Sequence, residues 1–175
     1  MRLWLQHLND IEVSVCRAWS RGGQRRWVQR PFAAISRLGD GVFWYSLIAI
    51  LPLVQGLAGL KASLHMLATA GVALALYKSL KGITRRERPC HYANEIIALV
   101  PPLDRYSFPS GHTLHAVSFS TVAIYHFPGL AWMLVPFTML VASSRIVLGL
   151  HYPSDVLVAT LIGLGLAFTS IVMVA

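Results

Sequence analysis

The stretch GVFWYSLIAILPLVQGLAGL, residues 41 to 60, carries no charged side chain. About 20 consecutive apolar residues suffice to cross the hydrocarbon core of a bilayer, so this stretch reads as a membrane span. Outward from it lie four more apolar runs, at residues 62–77, 113–127, 130–143 and 156–175. The second ends against Lys78 and Lys81, whose stems can lie along lipid while their ammonium groups reach the interface. Pro128-Gly129 is a turn signal between the third and fourth. The middle runs are short, so each span takes in polar residues at one end. The expected fold is all-α, a polytopic membrane helix bundle of about five transmembrane helices.

Composition supports lipid as the main solvent. Apolar residues make up 55% of the chain and charged residues 13%, against about 25% charged in a soluble domain. A length of 175 residues suits one domain. Cys16 and Cys90 cannot form a disulfide framework, and no CxxC or HExxH metal pairing is present. The net charge of +8 suits an anionic partner, and with this hydropathy that partner is anionic lipid rather than nucleic acid.

Residues 1–38 differ from the rest. Leu3, Trp4, Leu5, Leu8, Ile11 and Val15 recur near helical spacing, interrupted by Asp10, Glu12 and Arg17. This pattern predicts an N-terminal interfacial amphipathic helix and lacks the apolar length and cleavage site of a signal peptide. RGGQRRWVQRP, residues 21–31, reads as a basic loop. The division expected is an interfacial segment at 1–38 and a membrane domain at 39–175. Trp4, Trp27 and Trp44 suit an aromatic belt.

Folding the five spans up and down sorts the charges. Of the 15 Lys and Arg residues only Lys61 falls on one side; the other 14 and all seven acidic residues share the side of segments 1–40, 78–112 and 144–155. Ionisable residues at the edges of apolar runs mark the place to seek chemistry.

Three clusters stand there. In the first, Lys81 and Arg88-Pro89, a point charge and a planar fork suit phosphate oxygens, although cations in this place commonly just snorkel. In the second, Pro109-Ser110-Gly111-His112, Ser110 is a good helix N-cap and Gly111 lets backbone approach a ligand. A helix start there could hold an anion beside His112; the plainer reading is an ordinary capped helix. In the third, Ser144-Arg145, His151 and Asp155, a carboxylate could take the Nδ1 proton of His151 and leave Nε2 as a nucleophile. Its plainer reading is a capping Asp near a polar histidine. His115 reads as a packed residue. Arg85, Arg86 and Arg105 read as interfacial charge or as contacts for a second phosphate.

Taken together, in this order and spacing, the clusters resemble the signature of the type 2 phosphatidic acid phosphatase superfamily. Its pattern is Lys, six residues, Arg-Pro; then Pro-Ser-Gly-His; then Ser-Arg, five residues, His, three residues, Asp. Every position is matched here, and the resemblance covers residues 41–175. The segment before it departs from the commonest six-helix form. The resemblance implies a metal-independent lipid phosphatase with no cofactor. Lys81, Arg88, Arg145, the Ser110 hydroxyl and the Gly111 amide would hold the phosphoryl oxygens. His151 would be the nucleophile, Asp155 its orienting partner, and His112 the acid and then the base. The substrate would be a phosphorylated lipid: phosphatidic acid, phosphatidylglycerol phosphate, undecaprenyl pyrophosphate or a lipid A phosphate. A lipid phosphotransferase shares every motif. Vanadium haloperoxidases share the pocket but are water-soluble, and the short loops leave little room for the sugar site of a glucose-6-phosphatase. A transporter would leave the three-part match a coincidence. The implied location is a bacterial inner membrane with the site facing away from the cytoplasm, whereas the excess of arginine on the site-bearing side favours the cytoplasm.

Overall fold

The computed structural model describes residues 2–174, with side chains from Asp10 onward; the side chains of Leu3, Trp4, Leu5 and Leu8 lie outside the described residues. The described residues are helical, without strands. Helix α1 spans Arg2–Gly23, α2 Arg26–Arg37, α3 Phe43–Thr84, α4 Pro89–Tyr92, α5 Gly111–His126, α6 Ala131–Val147 and α7 Pro153–Val174. A π-turn at Leu38–Val42 joins α2 to α3, broken at Gly41 with φ 142°.

The apolar run that begins at residue 41 is bent back on itself. Gly56, at φ 55° and ψ −132°, takes a conformation that costs other residues a clash with their own Cβ. The arms 43–55 and 57–84 therefore form a hairpin, in which Ser63 Oγ donates to the Ile48 carbonyl at 2.8 Å. Gly59 lets them touch, since a Cβ there would stand 2.0 Å from the Leu51 oxygen. The expected break between the first two spans, near Lys61, falls at Gly56 instead. Hydropathy cannot locate it, because both flanks are apolar.

Among the described residues three helical runs are long and apolar enough to cross a membrane: the one containing α3, Pro128–Val147 and Pro153–Val174. Helix α5, with 16 residues, is about 24 Å long at 1.5 Å per residue. It is the axis of the bundle. Leu114, Ala116, Val117, Phe119, Val122 and Ala123 are all buried among α3, α6 and α7. Close approach to α7 comes from Gly163, where a Cβ would meet the Leu114 oxygen at 2.9 Å. Small residues let membrane helices pack this closely. Trp44, read as a belt residue, is 1% exposed and stacks on Phe119 at 5.2 Å; its place in the hairpin turns it into the core. Leu53, Leu57, Trp132 and Val172 form the exposed apolar rim.

The basic stretch 21–31 is mostly helical. α1 continues to Gly23 and α2 starts at Arg26, leaving Gln24 and Arg25 as the link. Val28, Phe32 and Ile35 recur on one face of α2, which packs on α6; that periodicity is masked in the sequence by the arginines between. Trp27 is exposed, as a belt residue would be.

Candidate active site

The three clusters meet at one end of the bundle. Lys81 comes from the last turn of α3, Arg88 from the residue before α4, His112 from the first turn of α5, Arg145 from the last turn of α6 and Asp155 from the first turn of α7. Between α6 and α7 the chain turns at Gly149, with φ 72°. Any Cβ there would also press within 2.8 Å of the Ile97 oxygen. The turn places His151 under the carbonyl of Arg145, which its amide reaches at 3.1 Å.

Six of the eight residues expected to act in the site line a single cavity of about 420 Å³: Lys81, Arg88, Gly111, His112, Arg145 and His151. The same cavity continues along Trp44, Leu67, Ala70 and Leu74, so its cationic end opens into an apolar one. Ser110 and Asp155 lie behind its wall. Ser110 is the N-cap of α5, with Oγ 3.5 Å from the Thr113 amide and 2.9 Å from Thr113 Oγ1. Its hydroxyl is committed to the helix.

His151 is 1% exposed. Its Nε2 stands 3.2 Å from Arg88 Nη1, and its Nδ1 stands 3.6 Å from Asp155 Oδ2, a contact longer than a hydrogen bond. Burial pushes the imidazole down to about 4; Asp155 opposes the fall, and the charges of Arg145 and Arg88 add to it. The ring is therefore neutral near pH 7, with a nitrogen lone pair to offer. Asp155 is fully buried and held by the Tyr152 amide at 2.9 Å, by Arg86 Nη1 at 2.8 Å and by the Ser107 hydroxyl. A carboxylate so bonded stays ionised and fixed.

Three cations surround the cavity floor. Lys81, Arg88 and Arg145 are all buried. Among the described residues Arg145 Nε has no hydrogen-bond partner, which in a buried guanidinium marks a donor free for an anion. The Lys81 ammonium reaches both Asp104 oxygens, at 2.7 and 2.8 Å, and Arg88 Nη2 reaches one of them at 2.6 Å. Burial alone would raise the Asp104 carboxyl; the Lys81 hydrogen bond and the charges of Lys81 and Arg88 outweigh it and hold the group below its usual value.

Several working residues escaped the sequence reading. Asp104 lies five residues ahead of Pro109 in a loop with no periodic signal. Arg86, expected as interfacial charge, is bonded to Glu12, Ser154 and Asp155 and lies over the Tyr152 ring at 4.0 Å. Asp40 meets His112 Nε2, and Ser36 meets Arg145 Nη1. His115 packs between Tyr77 and Phe119 and lines the cavity wall. Arg85 and Arg105 remain exposed. Among the described residues no group of three or more His, Cys, Asp or Glu could hold a metal ion.

Known proteins resemble this chain in sequence and in fold. An undecaprenyl-diphosphatase of Sulfolobus acidocaldarius is 27% identical over 138 residues, 78% of this chain and 66% of that one. A transmembrane PAP2 type phosphatidylglycerolphosphate phosphatase from Bacillus subtilis superposes with a TM-score of 0.77 and 26% identity, covering 94% of this chain and 84% of that one. Aquifex aeolicus LpxE gives 0.78 and 25%, covering 90% and 93%. This chain spans 66% or less of the length of the curated relatives it matches. The PAP2 superfamily model matches residues 62–175, the part of the chain that carries all three clusters. With the motifs converging on one cavity and the family match running through all of them, this chain belongs to the PAP2 superfamily.

Proposed function

We propose that the chain is an integral membrane lipid phosphatase that passes a phosphoryl group from a lipid phosphomonoester or diphosphate to His151 and then to water. The observation that carries the reading is the two-ended cavity, with three buried cations around a neutral histidine at one end and an apolar wall at the other. A lipid has both a phosphate for the first and a chain for the second.

The phosphoryl oxygens sit among Lys81, Arg88 and Arg145, with the Gly111 amide at the start of α5 as a further donor. Nε2 of His151 attacks phosphorus, and the bond from phosphorus to the lipid oxygen breaks. His112 gives its proton to that oxygen, so a lipid alcohol or lipid monophosphate leaves. The phosphohistidine ring is now cationic and faces the Asp155 carboxylate. His112 then takes a proton from water, whose oxygen attacks phosphorus and breaks the P–N bond. Inorganic phosphate leaves and His151 is neutral again. Phosphoryl transfer needs mainly positioning and charge, which the built-in cations supply. The site faces away from the cytoplasm in this reading, and no metal takes part.

The test uses purified protein in detergent with phosphatidic acid, phosphatidylglycerol phosphate, undecaprenyl pyrophosphate and a lipid A phosphate. Phosphate release from at least one should survive EDTA and be blocked by orthovanadate. An acid-labile phosphate should be trapped on the wild type and absent from His151→Ala. Release that stops in EDTA and returns with magnesium would overturn the metal-free reading. A label that persists in His151→Ala would overturn the nucleophile.

A further inference from the structure

Three of the residues that hold the site in place come from a part of the chain that the family match leaves out. Glu12 of α1, Ser36 of α2 and Asp40 of the π-turn each reach a different member of the site, yet the family match begins at residue 62. Glu12 Oε2 accepts from Arg86 Nη2 at 2.6 Å, its Oε1 accepts from the Ser154 amide at 2.8 Å, and Arg86 in turn holds Asp155 at 2.8 Å. Ser36 Oγ accepts from Arg145 Nη1. Asp40 Oδ1 meets Nε2 of His112.

Resting on the phosphatase reading, we propose that the N-terminal segment is a working part of the catalytic centre. In it, Asp40 is the positioning carboxylate of His112, and Glu12 and Ser36 position Asp155 and Arg145. The two histidines then have mirror-image partners. Asp155 faces Nδ1 of His151 and leaves Nε2 for phosphorus; Asp40 faces Nε2 of His112 and leaves Nδ1 as the nitrogen that exchanges the proton. The charge balance around His112 explains why a carboxylate is needed. Arg145 from α6 and Arg88 from the α3–α5 loop face it, with the rings of His151 and His115. Burial disfavours an imidazolium first and the two guanidiniums add to it, whereas a general acid must be one. Asp40 is the carboxylate in contact with the ring, so it favours the protonated form and fixes the tautomer.

The experiment compares wild type, Asp40→Asn, Asp40→Glu, Glu12→Gln and Ser36→Ala as full-length protein on a lipid phosphate and on an activated aryl phosphate, across pH. Asp40→Asn should move the alkaline limb of kcat/KM down by about one to three units, the usual reach of an adjacent opposite charge. Its rate on the lipid should fall by roughly ten- to a hundredfold, part of what general acid catalysis supplies. The aryl ester, whose leaving group needs no proton, should lose far less, and Asp40→Glu should recover part of the lipid rate. Glu12→Gln should lower kcat with KM held, because its effect reaches the nucleophile through Asp155. Ser36→Ala should raise KM and the vanadate concentration needed for inhibition, because Arg145 holds phosphate. An active wild type whose alkaline limb is unmoved in Asp40→Asn, with equal losses on both esters, overturns this inference alone. A wild type that releases no phosphate from either ester overturns the phosphatase reading and takes the inference with it.

Discussion

Asp104 poses the sharpest question among single residues. Its carboxylate occupies Lys81 and Arg88, the same cations proposed above to hold the phosphate. A dianion entering the cavity must share those donors or displace the carboxylate, and either way meets a like charge. Asp104→Asn keeps the shape and removes the charge. It should therefore bind orthovanadate more tightly, by roughly tenfold, the equivalent of one unit of pKa-scale interaction. Weaker vanadate binding in Asp104→Asn would show that the carboxylate serves to hold the cations in place instead. The two histidines separate by substrate. His151→Ala should abolish turnover of a lipid phosphate and of an aryl phosphate alike, since every substrate needs a nucleophile. His112→Ala should lose more on the lipid, by about a hundredfold to ten-thousandfold; a larger loss on the aryl ester would reverse the roles. The motif residues that line the cavity could be picked out in the sequence because their chemistry and spacing are fixed together. Asp40 and Asp104 could not, because each is a single carboxylate in an irregular segment. Only the folded chain shows which cation or imidazole it faces.

Helices were legible where apolar length alone decides them, as in α7, and illegible where a backbone turn decides them. The run from residue 41 to 77 is apolar on both sides of Gly56, so no hydropathy argument finds the hairpin; a left-handed glycine does. The arginines between residues 21 and 30 hide the periodicity of α2 in the same way. Glycines inside the helices fall into two kinds, and α7 holds one of each. At Gly163 a methyl group would meet the Leu114 oxygen at 2.9 Å and Val117 at 3.0 Å, whereas at Gly165 nothing lies within 4 Å. Gly163→Ala should push α7 off α5 and lower the melting temperature in detergent. Gly165→Ala should hold or raise it, by up to about 1 kcal/mol of helix propensity. Equal effects of the two substitutions would mean that α5 and α7 do not pack through Gly163.

At the scale of the whole molecule, the site and the N-terminal helices share one end. Gln29 Nε2 donates to the Leu99 carbonyl at 3.1 Å, Arg17 pairs with Glu95 at 2.5 Å, and Glu12 meets Ser154. Helix α5 runs away from that end to the turn at Pro128–Leu130. All the basic residues except Lys61 fall in the segments 1–40, 78–112 and 144–155. Four of them, Lys81, Arg86, Arg88 and Arg145, belong to the network around the cavity, but the seven arginines among residues 1–38 lie outside the three motif clusters. The positive-inside rule acts on such arginines during insertion and would draw this end to the cytoplasm, against the placement proposed above. Single cysteines at Arg21, Arg105 and Gly129, in a background without Cys16 and Cys90, decide between them. The first two should label together and Gly129 oppositely, since α5 separates the ends; a split between Arg21 and Arg105 would contradict the packing of α1 on the site. In intact cells, a membrane-impermeant reagent should reach Arg21→Cys and Arg105→Cys but not Gly129→Cys. Labelling of Gly129→Cys alone would put the cavity in the cytoplasm, and the arginines of α1 and α2 would then be the reason the chain inserts that way.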